Sequence, residues 1–323
     1  MRLLVTGGAG FIGSNYVRRL LDGTLEGATS VTVLDNLTYA GNLKNLTAVE
    51  NDPRLTFVRG DICDAQLISE LYKSTDAIVH FAAESHVDRS IASSAEFVRT
   101  NVLGTNTLLD ELRSYKDIRF VLVSTDEVYG SITDGSWDEK FPLSPNSPYS
   151  ASKAGGDLLA LAHTNTFGLN LSITRCGNNY GPFQYPEKLI PLFVTNLIQG
   201  KKVPVYGNGL NSREWVHVDD HCAGIHLALM KGRPGEIYNI GSQIDMSNIN
   251  LTKLILKSMD KSEDSIEYVA DRANHDLRYS LNYSKAQDEL GYVEKVPFID
   301  GLKSTIEWYR NNQSWWEPLL NGK

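Results

Sequence analysis

The chain has 323 residues, which is enough for about two domains of ordinary size. Hydrophobic residues make up 41% of it and charged residues 22%, values that exclude a disordered or low-complexity chain. The 39 Asp and Glu residues outnumber the 31 Lys and Arg residues, so the net charge is −8. Because the sequence also contains no basic block, nucleic acids and anionic membranes are not expected as partners.

Two patterns bear on the cellular location. No stretch approaches the ~20 apolar residues of a membrane span, and the apolar run near the start is too short for the core of a signal peptide. The three cysteines, Cys63, Cys176 and Cys222, lie far apart without a CxxC pair, which is typical of a reducing compartment. We therefore expect a cytoplasmic protein without disulfides.

The histidines show no metal-binding pattern. His86 lies in a polar segment, but no second His or Cys follows at ligand spacing, so we interpret it as a structural, hydrogen-bonded residue. His80 and His217 adjoin apolar strand residues and receive the same interpretation. No metal site is predicted.

Short apolar segments alternate with helical patterns through the first half of the chain. The predicted strands are residues 3–5, 31–34, 55–58, 77–81 and 120–123. A helical pattern from Phe11 to Leu21 follows the first strand, and other helical patterns separate most of the rest. Because parallel strands need crossover connections that are usually helices, this order predicts an α/β fold of the Rossmann type, with a doubly wound parallel sheet.

The pattern loosens after about Arg175, where Pro and Gly become frequent. We assign residues 1–175 to the Rossmann domain and residues 176–323 mainly to a smaller C-terminal lobe that faces the substrate. Within this lobe a helix is predicted from Leu189 to Ile198. Two segments near 214–240, Glu214 to Val218 and Glu236 to Ile240, resemble strands and are expected to rejoin the main sheet.

A glycine-rich turn follows the first strand, with Gly7, Gly10 and Gly13 at its spaced positions. Glycine permits the tight turn and leaves the first amides of the helix open to a pyrophosphate. Asp35 ends the second strand, where a carboxylate can accept hydrogen bonds from the adenosine ribose and would repel the 2′-phosphate of NADP. The pattern therefore predicts an NAD site, and the alternative is a tight turn that binds no ligand.

A second motif lies on a predicted helix. Ser147 and Pro148 are typical of a helix start, and the helical pattern continues to Phe167. Tyr149 and Lys153 are one turn apart on it, so the lysine cation can lower the pKa of the phenol and reach the nicotinamide ribose. An amphipathic helix often carries such a pair on its solvent face, but together with the glycine turn the pair predicts an oxidation base.

Three polar residues, Thr125, Asp126 and Glu127, end the fifth predicted strand. The carboxyl edge of a parallel sheet is where such folds bind ligands. Two close carboxyl groups raise one pKa, so one group can hold a proton while the other accepts one, as elimination of water requires. A solvated loop in which the Asp caps the next segment is the alternative.

Eight motifs together carry a resemblance to a known family. They are GGAGFIG, LDNLTYAGN, FAAESHVDRS, STDEVYG, SPYSASK, NNYGP, PEKLIP and ADRANHD. With them the chain resembles the dTDP-glucose 4,6-dehydratases of the extended short-chain dehydrogenase/reductase superfamily. The resemblance runs from residue 1 to about residue 310, and the Thr-Asp-Glu turn combined with YxxxK is its part most specific to dehydration.

The resemblance implies a reaction in which a tightly bound NAD is regenerated in each turnover. Tyr149 would take the proton of the sugar C4 hydroxyl while the C4 hydride passes to NAD, and Thr125 would orient the C4 oxygen. Glu127 would take the C5 proton, Asp126 would protonate the departing C6 hydroxyl, and the hydride would return to C6 to leave a 4-keto-6-deoxy sugar. The residues alone indicate the same set of groups: an oxidation base, an acid, a base and a hydride carrier.

The resemblance also implies binding residues, carried over motif by motif. Those expected along NAD are Gly7, Gly10, Phe11, Ile12, Gly13, Asp35, Asn36, Leu37, Thr38, Asp61, Ile62, Ala82, Ala83, Ser85, Thr100, Tyr149, Lys153 and Asn179. Those expected around dTDP-glucose are Ser85, Thr125, Asn178, Asn179, Lys188, Leu189, Pro204, Val205, Tyr206, Arg213, Asn248, Arg272 and His275. The cations among them can meet a diphosphate, although each alone could be a surface charge, and Asp61 could instead cap a helix.

Two further expectations concern helices. Gly155 and Gly156 lie inside the predicted helix, where each costs about 1 kcal/mol relative to Ala, and a close approach by another backbone would explain them. The resemblance implies a homodimer, whose interface could use apolar positions of this helix and of the helix around Phe97 to Leu112. Packing in the core of one subunit would give the same apolar pattern.

Two other functions remain open at this point. A nucleotide-sugar 4-epimerase shares the NAD turn and YxxxK but needs no acid for a C6 leaving group, so the Asp-Glu pair weighs against it. An NAD-sensing regulator without catalysis would need neither Tyr149 and Lys153 nor the acid pair. The nucleotide base also stays open, since thymine and uracil pockets differ by room for one methyl group.

Overall fold

The structure is a computed structural model that describes residues 1–271 and 276–321. Its strands are β1 (Arg2–Thr6), β2 (Ser30–Asp35), β3 (Leu55–Arg59), β4 (Ala77–His80), β5 (Arg119–Thr125), β6 (Leu171–Cys176), β7 (Asn178–Tyr180), β8 (Val203–Tyr206), β9 (Ser212–His217), β10 (Ile237–Ile240), β11 (Asp245–Ser247) and β12 (Ile266–Val269).

The described helices alternate with these strands. They are α1 (Phe11–Leu21), α2 (Ala65–Tyr72), α3 (Val87–Ala92), α4 (Ala95–Phe97), α5 (Thr105–Leu112), α6 (Pro148–Phe167), α7 (Leu189–Ile198), α8 (Val218–Lys231), α9 (Asn248–Ser258), α10 (Phe298–Asn311) and α11 (Gln313–Asn321). A π-helical segment, Val98–Gly104, joins α4 to α5, and shorter helical turns occupy Leu43–Val49, Asp126–Tyr129, Glu263–Ser265 and Ala286–Leu290. None of the described helices is both long and apolar enough to cross a membrane.

Seven parallel strands form the main sheet in the order β10-β6-β5-β4-β1-β2-β3. Helices α1 and α8 pack on one face, and α2, α5 and α6 pack on the other. Because both faces are covered, β4 and β6 are buried along their whole length. The predicted doubly wound α/β fold is confirmed, and all five predicted strands belong to this sheet; β6 is not among the predicted strands.

The two later segments expected to rejoin the main sheet differ in outcome. The segment ending at Ile240 does so as β10, which pairs in parallel with β6 at the edge of the sheet. The segment beginning at Glu214 does not, and that expectation is wrong. It forms β9, which pairs with β7 and β11 in a separate three-stranded sheet. Helix α8 then returns the chain to the main sheet, packing Val218, Cys222 and Ile225 against it.

A second core lies in the C-terminal half of the chain. It joins α7, α9, α10 and α11 with β8 and β9, and its largest fully buried side chain is Trp316. The predicted helix from Leu189 to Ile198 is present as α7. This core forms one wall of a cleft, and the carboxyl ends of the main-sheet strands form the opposite wall.

Helix α6 is built as its sequence predicts. Ser147 caps its start by accepting a hydrogen bond from the amide of Ser150, and Gly168 ends it in the left-handed conformation. The close approach expected at its paired glycines exists at Gly156, where a Cβ atom would lie 3.0 Å from the carbonyl oxygen of Asn101 in the π-helical segment.

Candidate active site

A cleft of about 730 Å³ lies between the carboxyl ends of the main-sheet strands and the second core. Every predicted site residue within the described ranges lines it, with Leu37 as the exception. Arg272 and His275 lie outside the described residues. The structure therefore brings the two predicted sets together in one cavity, and the individual binding roles stay predictions.

The glycine turn forms one end of the cleft and leaves no room for side chains. Gly7 has a φ of 70°, and a Cβ atom there would lie 2.6 Å from the amide nitrogen of Ala82. A Cβ atom on Gly13 would lie 2.3 Å from the carbonyl oxygen of Gly7. Gly10 caps α1 without a side-chain hydrogen bond, so the first amides of the helix are available to an anion.

Asp35 is buried beside this turn, at the end of β2. Its Oδ2 accepts a hydrogen bond from the amide of Ala9 at 2.9 Å, and its Oδ1 accepts one from the amide of Leu37 at 2.8 Å. Burial raises the pKa of Asp35, and the two amide hydrogen bonds oppose that rise. Leu37 itself does not line the cleft, because the chain turns there with a φ of 55° and turns its amide to Asp35.

Asp61 lines the same end of the cleft and does not cap a helix. The cap of α2 is Asp64, whose side chain accepts a hydrogen bond from the amide of Leu67. Asp61 instead accepts a hydrogen bond from the amide of Cys63 and forms an ion pair with Arg99 at 2.7 Å. Although burial acts to raise the pKa of Asp61, these partners lower it.

Together these features fit a dinucleotide. The side-chain-free turn and the open amides of α1 suit a pyrophosphate, and the fixed carboxylate of Asp35 suits ribose hydroxyls. Asp61 and Ile62 border the space beyond Asp35. The fit rests on backbone that only glycine can supply at Gly7 and Gly13.

Tyr149 and Lys153 lie side by side on the buried face of α6, but their electrostatics differ from the prediction. Burial, followed by the charge of Glu127, raises the pKa of Tyr149 well above its usual value, and a hydrogen bond with Thr125 opposes the rise. The Lys153 ammonium group donates to the carbonyl oxygen of Val123 at 2.8 Å. Burial lowers the pKa of Lys153 to about 8. Burial therefore outweighs any lowering of the phenol pKa by the lysine cation in this structure, and the net shift is opposite to the predicted one.

Asp126 is the most deeply buried of the predicted catalytic groups, with 1% of its surface exposed. Its Oδ1 accepts a hydrogen bond from the hydroxyl of Thr125 at 3.1 Å, whereas its Oδ2 is buried without a hydrogen-bond partner among the described residues. Burial, then the charges of Glu127 and Glu214, raise the pKa of Asp126 well above its usual value. These effects favour the protonated form of Asp126, which is the form that a general acid needs.

Basic and polar side chains line the opposite end of the cleft. The Lys188 ammonium group donates to the carbonyl oxygen of Ser85 at 2.9 Å. Arg213 is 7% exposed, lies 4.2 Å from the ring centre of Tyr279 and donates to the carbonyl oxygen of Asp276. These two cations face the same cavity as Asn248, the first residue of α9.

Glu214 is a functional candidate that the sequence interpretation missed. It lies on β9, and its two carboxylate oxygens accept hydrogen bonds from the amides of Ser242 and Leu281 at 2.6 and 2.8 Å. Burial raises the pKa of Glu214 to about 8. A carboxylate directly before the apolar pair Trp215 and Val216 in a predicted strand was the available signal.

A second missed group borders the sugar-facing wall. The Tyr39 hydroxyl lies 3.2 Å from the hydroxyl of Ser85, and the Arg89 guanidinium lies 4.1 Å from the Tyr39 ring centre. Arg89 also pairs with Glu187 at 3.4 Å. These residues come from three separate segments, so no local motif joins them.

Comparison with known proteins decides the family. The sequence profile of the GDP-mannose 4,6 dehydratase family matches residues 4–305. A protein from Streptomyces niveus named dTDP-glucose 4,6-dehydratase is 57% identical over 321 residues, which cover 99% of this chain and 96% of that protein. The chain belongs to the dTDP-glucose 4,6-dehydratase family. The resemblance inferred from the eight motifs is thereby confirmed.

Two solved structures resemble this chain to different degrees. A Streptomyces venezuelae dTDP-glucose 4,6-dehydratase, solved with NAD bound, superposes with a TM-score of 0.98 at 60% identity and covers 99% of this chain and 100% of that one. A Thermotoga maritima UDP-glucose 4-epimerase has a TM-score of 0.89 at 30% identity and covers 97% and 100%. The fold is common to both activities, so the distinction between them lies in the site.

Proposed function

We propose that the protein converts dTDP-glucose into dTDP-4-keto-6-deoxyglucose, as a hydro-lyase in deoxysugar biosynthesis, with a tightly bound NAD that is regenerated in each turnover. The observation that carries this proposal is the buried Asp126, whose pKa is raised and which lies next to Glu127 in the same cleft as Tyr149. A dehydration needs that acid, and oxidation alone does not. The names of the relatives that share more than half of their residues with this chain support the same substrate.

The cofactor would be held by the residues of the glycine turn, by Asp35, and by Lys153 on the ribose of the nicotinamide. When bound, NAD accepts a hydride from the sugar and returns it later in the cycle. The carboxylate of Asp35 would repel the 2′-phosphate of NADP, so NAD is the expected cofactor.

Oxidation at C4 would use Tyr149 as the base. The proton of the C4 hydroxyl moves to the phenolate oxygen, and the Thr125 hydroxyl orients the C4 oxygen. Because burial raises the pKa of Tyr149, the phenolate is formed at a cost that a nearby cation must offset. Lys153 is the buried cation one helical turn away, and its ammonium group supplies that charge below pH ~8.

Elimination across C5 and C6 would divide its two proton transfers between adjacent residues. The C4 ketone acidifies C5, and Glu127 takes the C5 proton. Asp126 gives its proton to the C6 hydroxyl, which leaves as water. Since burial and the charge of Glu127 both favour the protonated form of Asp126, the acid is available before the sugar is oxidised.

The nucleotide end of the substrate would lie against the basic wall. Lys188 and Arg213 carry the charges that a diphosphate requires, and Arg213 is held in place by Tyr279. Asn178, Asn179 and the β8 residues Pro204 to Tyr206 would complete this wall.

The alternative is an NAD-dependent nucleotide-sugar 4-epimerase. Its support is the shared fold and a solved epimerase at 30% identity. An epimerase returns the hydride to C4 and has no leaving group at C6, so it has no use for a buried acid such as Asp126. The dehydratase is therefore the better explanation of the site.

The proposal also covers the cellular location, the oligomeric state and the domain division. The three free cysteines fit a cytoplasmic location. Family resemblance supports a homodimer. The separate cores support a division into an NAD-binding domain over residues 1–175 and a lobe over residues 176–323, with α8 and β10 added to the first.

The test is to incubate the purified protein with dTDP-glucose without added NAD and to follow the product by mass spectrometry. A product lighter by one water molecule is expected, because the bound NAD is recycled within the protein. An isomer of unchanged mass, from this substrate or from UDP-glucose, would favour the epimerase. Comparison of the two nucleotide sugars also determines the base preference.

A further inference from the structure

The last described helix, α11, reaches across the molecule to the NAD end of the cleft. Trp315 on this helix is 7% exposed, and its indole N–H donates to Oδ1 of Asn45 at 2.9 Å. Asn45 lies 270 positions earlier in the sequence, in the helical turn Leu43–Val49 that follows β2. A single buried hydrogen bond thus joins the C-terminal part of the chain to the segment beside the glycine turn.

Asn45 passes this contact on to the glycine turn itself. It is 2% exposed, and its Nδ2 donates to the carbonyl oxygen of Ala9 at 2.8 Å. An indole nitrogen can only donate, so the oxygen of the amide must face Trp315 and the nitrogen must face Ala9. The orientation of the Asn45 amide is therefore fixed by chemistry. We call the chain of bonds from Trp315 through Asn45 to Ala9 the indole bridge.

Ala9 is the residue at which the indole bridge meets the predicted NAD site. It lies between Gly8 and Gly10, and its carbonyl oxygen also accepts a hydrogen bond from the amide of Asn42 at 3.0 Å. Its own amide donates to Asp35 at 2.9 Å. Both polar groups of the Ala9 peptide are thereby held, one toward the indole bridge and one toward the carboxylate expected to bind ribose.

The far end of the indole bridge is anchored in an aromatic cluster of Phe183, Trp308 and Trp315. The ring centres of Phe183 and Trp308 are 4.5 Å apart, and those of Trp308 and Trp315 are 5.1 Å apart. Arg18 of α1 lies 4.3 Å from the Phe183 ring centre and donates to the carbonyl oxygen of Asn45 at 2.6 Å. The cluster and α1 therefore restrain Asn45 from both sides.

We propose that Trp315 is a positioning residue for the cofactor, which acts through Asn45 to hold the glycine turn in its binding conformation and so slows the release of NAD between turnovers. This inference rests on the proposed function, since only an enzyme that recycles its NAD gains from slow release. The physical basis is preorganisation, because a turn already held in place loses little freedom when the pyrophosphate binds. Without the bridge, binding must first order the turn.

The test measures the release of NAD rather than activity. Protein loaded with labelled NAD is mixed with excess unlabelled NAD, and the label that stays bound is followed over time. Trp315→Phe keeps an aromatic ring but removes the donor, and we expect release to become about tenfold faster, the equivalent of ~1.4 kcal/mol. Asn45→Asp keeps the acceptor for the indole but replaces the donor to Ala9 by an oxygen, and we expect a comparable or larger increase.

Trp316→Phe is the matched control. Trp316 is the next residue of α11, is fully buried, and donates its indole N–H to the carbonyl oxygen of Tyr309 within the second core. This variant loses an equivalent hydrogen bond and should lose comparable thermal stability in the absence of NAD. Its NAD release should match that of the unmodified protein.

The outcomes separate cleanly. Faster release in Trp315→Phe and Asn45→Asp, with unchanged release in Trp316→Phe, supports the proposal, as does the absence of any further effect of Trp315→Phe in an Asn45→Ala background. Release at the normal rate from folded Trp315→Phe, or equal acceleration in Trp316→Phe, overturns it. If the unmodified protein retains no NAD at all, the proposed function fails instead.

Discussion

The two ends of the cleft are built by different means. The NAD end is built mainly from the backbone of a contiguous glycine turn, with the carboxylates of Asp35 and Asp61 beside it. The chemical end consists of buried ionisable side chains from the helical turn Asp126–Tyr129, α6 and β9, and burial displaces the pKa of Asp126, Lys153 and Glu214. The NAD end provides a backbone shape that fits the cofactor. The chemical end provides side chains with displaced pKa values.

This contrast predicts that substitutions at the two ends fail in different ways. Changes at the NAD end should alter cofactor affinity, because they change the fit of the backbone. Changes at the chemical end, except at Lys153, which would also hold the nicotinamide ribose, should leave the cofactor bound and alter a single proton transfer. Substitutions at each end test whether cofactor affinity and proton transfer can be altered separately.

The largest effect is expected for Tyr149→Phe. Loss of the phenol removes the base for C4 oxidation, so the turnover rate should fall by about a thousandfold, within the range of a lost general base. NAD should remain bound, because the ring still fills the buried site. Single-turnover absorbance of the reduced cofactor after addition of dTDP-glucose checks the step directly.

Tyr72→Phe is the control for this change. Tyr72 is another buried tyrosine, whose hydroxyl donates to the carbonyl oxygen of Leu108 away from the cleft. Its variant should keep full turnover. Normal turnover in Tyr149→Phe would sink the assignment of the oxidation base.

Asp126→Asn should give the next largest effect, on elimination alone. The amide cannot protonate the C6 hydroxyl, so loss of water should slow by a few hundredfold, again within the range for a general acid. Oxidation at C4 and exchange of the C5 proton with deuterated solvent should continue. Mass spectrometry separates these steps, and an unchanged rate of water loss contradicts the role of Asp126.

The NAD end is tested by alanine at two glycines of the turn. A Cβ atom on Gly13 would overlap the Gly7 carbonyl oxygen at 2.3 Å, so Gly13→Ala should weaken NAD binding by about fiftyfold and also destabilise the fold, as overpacking of 1–3 kcal/mol does. On Gly10 the nearest protein atom would be 3.3 Å away. Because this contact is tight but much longer than the one at Gly13, Gly10→Ala should cost less stability than Gly13→Ala while still weakening NAD binding.

Calorimetric titration with NAD and thermal unfolding of both variants distinguish the two effects. Equal loss of stability at Gly10 and Gly13 would show that crowding between the new Cβ atom and the Gly7 carbonyl oxygen is not the cause of the destabilisation.

The contrast between the two ends also explains how much could be predicted from the sequence. The five strands predicted in the first half of the chain, α6 with its cap, and the glycine turn follow from local periodicity and spacing and are present, whereas β6 was not predicted. Local patterns could not show that β9 leaves the main sheet, because its partners β7 and β11 lie far away in sequence. Nor could they show the direction of the Tyr149 pKa, because spacing places a lysine nearby without revealing how far both groups are buried.

Glu214 was missed for the same reason. Its effect on Asp126 depends on distance across the core rather than on any motif, and only the fold brings the two together. Leu37 is the opposite case, a residue that was predicted but does not line the cleft. It lies inside a matching motif, and the backbone turns it away from the cleft. Contiguous backbone sites are thus readable from sequence, whereas sites made of buried charges need the structure.

The smallest expected effect concerns the stability cost of the chemical end. Burial lowers the pKa of Lys153 from 10.5 to about 8, a shift that corresponds to a penalty on the order of 3 kcal/mol for the charged form in the folded state. Lys153→Met removes this penalty but also removes the donor to the Val123 carbonyl, which costs about 1 to 2 kcal/mol. At pH 7 the variant should be more stable by about 1 to 2 kcal/mol while losing C4 oxidation.

The stability difference between Lys153→Met and the unmodified protein should depend on pH in a defined direction. Because the folded pKa of Lys153 lies below the unfolded value, the penalty is complete below pH ~8, shrinks as the pH rises toward 10.5, and vanishes above that value. The advantage of Lys153→Met should therefore be largest at pH 7 and absent at pH 10, as measured by urea unfolding. An advantage that grows with pH, or a variant less stable than the unmodified protein at pH 7, would mean that the buried cation is paired rather than strained. The chemical end would then impose no stability cost, and the division between a site built for shape and one built for protonation would fail at this residue.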